Sequence, residues 1–182
     1  MPRPTTTLVK RKCTEFDRDP MAKLVEATLK KLLKQFPKNT VITHVLSKVV
    51  VLDGLYHTHL LAKDYKCLAE HIVKHGIDKK LAKGIPDVVE EIANCPGMKH
   101  YLSFATKYCS WHNRKAYPIY DSHVVRCLRA YNQEERFADF SLEGLKDYMT
   151  LIKTINSFRK HYRLDKNLTF RDLDKFFWLI GA

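Results

Sequence analysis

The chain has 182 residues, 45% of them apolar, enough material for the core of one domain. Lys and Arg number 32 against 20 for Asp and Glu, and the resulting net charge of +12 favours a polyanionic partner over an acidic one. Five cysteines without a Cys-x-x-Cys pair, and no apolar run of bilayer length, set aside a disulfide framework, a cysteine zinc knuckle, a secretory leader and a membrane span.

Residues 1–18 combine Arg3, Lys10, Arg11 and Lys12 with prolines and threonines, which predicts a flexible basic arm with a short extended piece at Leu8 and Val9. Asp19-Pro20 then supplies an N-cap and a proline at the first helical position. Met21, Leu24, Val25, Thr28, Leu32 and Phe36 keep a helical period until Pro37 closes it. Asn39 is a candidate cap for a helix over 40–56, whose run of valines and leucines marks it as the most buried helix. Asp64 can cap a helix that ends at Gly76, and residues 78–83 form a short turn stopped by Gly84. Pro86 starts a helix running to Asn94-Cys95-Pro96-Gly97, followed at once by another over 99–112 and, after Pro118, one over 122–131. Ser141 can cap a long helix through Phe158. Thr169 with Asp172 resembles a capping box for a last helix carrying Phe176, Phe177, Trp178 and Ile180. The expectation is an all-α fold: a single compact multi-helix domain over 19–182, preceded by the arm.

Chemistry concentrates between Asn94 and Tyr131. On the helix over 99–112, Leu102, Ala105, Cys109 and His112 make one stripe and Phe104, Tyr108 and Trp111 a second, both fitting a core, while Ser103, Lys107 and Ser110 share a small cationic face. A helix that begins straight after Pro96-Gly97 presents free backbone N–H groups, able to hold a phosphate beside the cation of Lys99. Asp121 precedes Ser122-His123-Val124 and fits a helix N-cap. A carboxylate so held, near basic and aromatic residues, can also stabilise an oxocarbenium ion or activate a water at a sugar carbon. His71 and His75 are one turn apart and His57 and His59 flank Thr58, but no carboxylate pattern accompanies them, and no metal or other cofactor is expected.

Residues 95–125 resemble the helix-hairpin-helix DNA glycosylase superfamily. The pattern Ser103-Phe-Ala-Thr-Lys-Tyr-Cys with Tyr117-Pro-Ile-Tyr-Asp-Ser-His is most similar to the bacterial 8-oxoguanine DNA glycosylase-like proteins. The segment Lys48-Val-Val-Val-Leu-Asp-Gly-Leu-Tyr-His-Thr-His and the tail Asp174-Lys-Phe-Phe-Trp-Leu-Ile-Gly fit the same group. The resemblance implies a helix-hairpin-helix element that grips a DNA phosphate and a catalytic aspartate, here Asp121. Aligning Asp121 with the family aspartate puts Ser103 where bifunctional members carry the Schiff-base lysine, with Lys107 one turn further on. A serine cannot form that imine. The implied function is a base-excision glycosylase acting on a flipped, damaged purine such as 8-oxoguanine, without lyase activity. Asp121, Lys107 and Ser103 are its catalytic set. Pro96, Gly97, Met98, Lys99, His100, Arg114 and Lys115 are its contacts to double-stranded DNA, and Trp111, Tyr117 and His123 its base pocket. A monomer in the cytoplasm, at the nucleoid in a bacterium, is expected. A non-catalytic helical nucleic-acid-binding module and a basic adaptor between proteins are the alternatives.

Overall fold

The computed structural model describes residues 1–181. Its α-helices are α1 (Thr6–Phe16), α2 (Pro20–Gln35), α3 (Ile42–Tyr56), α4 (Tyr65–His75), α5 (Asp78–Lys83), α6 (Asp87–Ala93), α7 (Leu102–His112), α8 (Ser122–Glu135), α9 (Tyr148–His161) and α10 (Phe170–Ile180). Two 3-10 turns, Ala62–Asp64 and Gly144–Lys146, complete an all-α fold with no strand among the described residues. The helices gather into two compact units: residues 20–117, and residues 1–19 with 118 onward.

In the 20–117 unit, α7 packs against α3, α5 and α6, while α3 also meets α2 and α4. Nine of the eleven residues of α7 are buried, against five of fifteen in α3, so α7 rather than the helix over 40–56 is the more buried. The apolar residues of α3 surround its whole circumference, which leaves Ile42 and Val50 exposed. Asn39 is not a cap but a buried hub. Its Oδ1 accepts from Lys48 Nζ and from the Tyr108 hydroxyl, and its Nδ2 donates to Asp78 at 2.6 Å and lies 3.3 Å from His112 Nε2. His112 Nδ1 donates to the Tyr108 carbonyl at 2.9 Å, which leaves Nε2 as an acceptor. Burial, aided by the Lys48 charge, lowers the His112 pKa to about 4, and burial lowers that of Lys48 to about 8.

The hairpin between α6 and α7 differs from its expected form. Cys95-Pro96-Gly97-Met98 closes a turn through Met98 N–H to the Cys95 carbonyl at 3.1 Å. Gly97 has φ +78, the left-handed value that favours glycine at the third position of such a turn. The next helix starts at Leu102 rather than at 99. Tyr101 donates its hydroxyl to Asp64 at 2.7 Å and its N–H to the Ala93 carbonyl at 3.1 Å, and these tertiary bonds hold the chain out of helical geometry until then.

In the other unit α10 packs on α1 and α8, and α8 on α9. Residues 6–16, expected within a flexible arm and partly extended, are instead helical. Thr5 caps α1 by accepting the Leu8 N–H at 3.1 Å, and Val9 is fully buried. Ser141 holds only the 3-10 turn, through the Gly144 N–H, and Asp147 caps α9 by accepting the Thr150 N–H at 2.7 Å. The Thr169–Asp172 capping box forms in both directions, at 3.2 and 2.7 Å. Gly181 permits the closest approach of the unit: a Cβ there would lie 2.8 Å from the His123 carbonyl and 3.0 Å from Cys127 Sγ. The end of α10 thereby seats against the first turns of α8.

Candidate nucleic-acid interface

The expected residues divide between the two units. On α7, Lys107 is buried, and its Nζ donates to Ser103 Oγ at 2.8 Å and sits 5.8 Å from the Tyr56 ring centroid. The i,i+4 spacing delivers this contact, since residues one turn apart share a face of the helix. The face of Ser103, Lys107 and Ser110 is therefore not an open solvated one: Lys107 and Ser110 are both 3% exposed.

Two expected base-pocket residues belong to the core instead. Trp111 is buried; it donates its indole N–H to the Tyr56 hydroxyl at 3.0 Å, and the Arg114 guanidinium covers one face of the ring, 3.9 Å from its centroid. Tyr117 is fully buried and donates to the carbonyls of Lys80 and Ile85 at 3.1 and 3.0 Å. Burial drives its phenol pKa upward. Arg114, expected on a phosphate, pairs with Glu26 at 3.3 Å. Lys99 and Lys115 are exposed, as are Pro96, Gly97 and His100, while Met98 is partly covered. His100 is engaged with Glu90 at 2.9 Å. The backbone N–H groups at the start of α7 begin several residues after Gly97, so the turn does not feed a helix N-terminus directly.

In the second unit Asp121 caps α8. Its backbone is extended (φ −155, ψ 177) and its Oδ1 accepts the Val124 N–H at 3.0 Å. Tyr148 steadies the preceding segment by donating its hydroxyl to the Pro118 carbonyl at 3.2 Å. His123, in the first turn of α8, packs against Trp178 with ring centroids 5.8 Å apart and the planes tilted by 43°. Trp178 is 44% exposed and is an aromatic that the sequence reading left unassigned. Leu173, Phe176 and Phe177 are the buried apolar stripe of α10, while Trp178 shares its face with the polar Arg171 and Asp174. Tyr56 was also missed, because only the fold brings it to Lys107 and Trp111.

The rings of His71 and His75 lie 4.2 Å apart, tilted by 47°, with His71 Nε2 at 2.6 Å from the Glu91 carbonyl. No cluster of three or more metal-ligating side chains occurs among the described residues.

The N-terminal-domain family HI_0787_N matches residues 8–116. The chain belongs to that family. An uncharacterized protein of Haemophilus influenzae is 33% identical over 147 residues, covering 79% of this chain and 69% of that protein. A ribosomal protein uS12 methylthiotransferase RimO of Phocaeicola vulgatus is 24% identical over 134 residues, 71% of this chain but only 24% of that enzyme. No solved structure matches. The HI_0787_N match stops at 116, next to the boundary between the units at 117, so Ser103 and Lys107 lie within it and Asp121 lies beyond.

Proposed function

We propose that this protein is a DNA base-excision glycosylase that releases a flipped, damaged purine of the 8-oxoguanine kind, by hydrolysis rather than through an imine. The observation that carries the reading is the bond from Lys107 Nζ to Ser103 Oγ at 2.8 Å on a buried helix. It brings an amine to the position that the resemblance assigns to the catalytic lysine. Burying an amine is costly unless polar groups meet it, which makes such placement a mark of a functional site. In this reading Asp121 stabilises the sugar cation or orients a water, and Ser103 and Lys107 line the base. Trp178, beside His123, takes the stacking role first given to Trp111 and Tyr117. Lys99, Lys115 and the exposed turn over 96–98 meet phosphates.

No helix among the described residues is long and apolar enough to cross a membrane. The proposed setting is a monomer in the reducing cytoplasm, where the five cysteines remain free thiols.

The test is base release from a duplex containing 8-oxoguanine, comparing wild type with Asp121→Asn. Wild type is expected to release the base. The Asn variant is expected to lose release while keeping its fold, because Asn caps a helix about as well as Asp. Borohydride should trap no adduct, and an adduct lost in Lys107→Ala would make that amine the nucleophile. The presence of Ser103 at the lysine position favours a second reading, a helical module that binds nucleic acid without chemistry. Duplex binding by wild type without base release from any lesion of a full panel would decide for the module.

A further inference from the structure

The C-terminal end of α8 borders a cleft of about 740 Å3, within the range of ligand sites. Arg129, Asn132 and Arg136 stand at i, i+3 and i+7 and so share one side of the helix, with Gln133 beside them. Arg136 ends α8 with a left-handed backbone (φ +43) and the chain doubles back. Two contacts fix the returning segment. Asn132 Oδ1 accepts the Ala138 N–H at 3.0 Å, and Phe137 is anchored against Phe158 and Tyr162 with centroids 5.5 and 6.4 Å away. Residues 138–142 thus form the opposite wall, which presents Asp139, Leu142 and the partly exposed ring of Phe140, 6.1 Å from Phe137.

The charge of the cleft is not cancelled by its own helix. Glu134 pairs with the amino group of Met1, and Glu135 with Arg3 and His161. Neither Arg129 nor Arg136 has a carboxylate partner among the described residues. Two arginines whose backbones stand about 10 Å apart along the helix axis can follow a phosphodiester backbone. A part-exposed aromatic ring on the facing wall is the complement of an unpaired base, and a carboxylate beside it can accept from an exocyclic amine.

We propose that this cleft holds a single-stranded nucleic-acid segment, with phosphates on Arg129 and Arg136 and one unpaired base against Phe140. This rests on the nucleic-acid reading above but requires no base release. Fluorescence anisotropy tests it with a labelled single strand of about 12 nucleotides and the matching duplex, each titrated over a range of salt. Melting curves control for the fold. The Arg129→Ala/Arg136→Ala double variant should bind the single strand on the order of tenfold more weakly near 0.1 M salt, with a log–log salt slope shallower by about 1.4. Phe140→Ala should weaken binding roughly tenfold without changing that slope. A double variant that binds the strand as wild type does, at the same slope, overturns the cleft and leaves the DNA reading intact. Wild type that binds neither strand nor duplex at low salt removes the DNA reading itself. Wild type that binds adenosine monophosphate but no oligonucleotide overturns the strand in favour of a small phosphate ligand.

Discussion

His112 carries the clearest pH dependence of any single residue. Its ring is held neutral, with Nδ1 on the Tyr108 carbonyl and Nε2 facing Asn39 and Lys48. Its folded pKa of about 4 lies below the usual value of 6.5, so between those limits the unfolded chain binds the extra proton. Stability therefore rises with pH across that window and is lost as pH falls through it, by up to about 3 kcal/mol. Lys48, at about 8, stays protonated throughout and adds no slope there. Urea unfolding at several pH values should show this loss in wild type and a flatter profile in His112→Gln. Equal slopes in both would assign the acid sensitivity elsewhere. Asn39 shows why such residues escape sequence reading: an asparagine before a helix carries a strong local capping signal, and the side chains that claim it, Lys48, Asp78, Tyr108 and His112, come from distant positions. Asp121 was legible because its cap is local, to Val124 three residues on.

Among the elements, the helix ends set by local chemistry were legible. Pro20 opens α2, Gly76 and Gly84 close α4 and α5 in left-handed conformation, and Thr169 with Asp172 boxes α10. The start of α7 was not, because Tyr101 is held by Asp64 and Ala93 across the unit. The start of α9 moved because a glycine, weak in a helix, precedes Asp147, a better cap than Ser141 in this setting. The seating of α10 on α8 depends on the missing side chain at Gly181, where the nearest atoms to an added Cβ are carbonyl oxygens and a sulfur. Gly181→Ala should force the two helices apart and cost roughly 1–3 kcal/mol, the usual range for overpacking. It should also raise the exposure of Trp178, whose ring lies against His123. Trp fluorescence that neither shifts nor loses cooperativity in this variant would show that the terminus yields without disturbing that pair.

At the level of the whole molecule, the net charge of +12 sets the expected mode of association. Duplex affinity should fall steeply with salt, since each phosphate neutralised releases counterions with a slope near 0.9. Lys99→Ala and Lys115→Ala should each lower that slope by about 1 and weaken all sequences alike. An affinity indifferent to salt would count against nucleic acid as the partner. The all-α class was legible from periodicity and caps. The pairing of α1 with α10 was not, since α1 alone is short, basic and poorly apolar, and packs chiefly on α10.

That pairing also orders the events of synthesis. The 20–117 unit is one continuous stretch and holds all its own contacts as soon as it has left the ribosome. The other unit is built from residues 1–19 and from those from 118 onward, so α1 is made before the 20–117 unit and meets its partner only when α10 emerges. Through that interval Val9, buried in the finished protein, has no surface from α10 to cover it, and the nascent chain presents a cationic segment with that apolar side chain uncovered to whatever chaperone or polyanion is near.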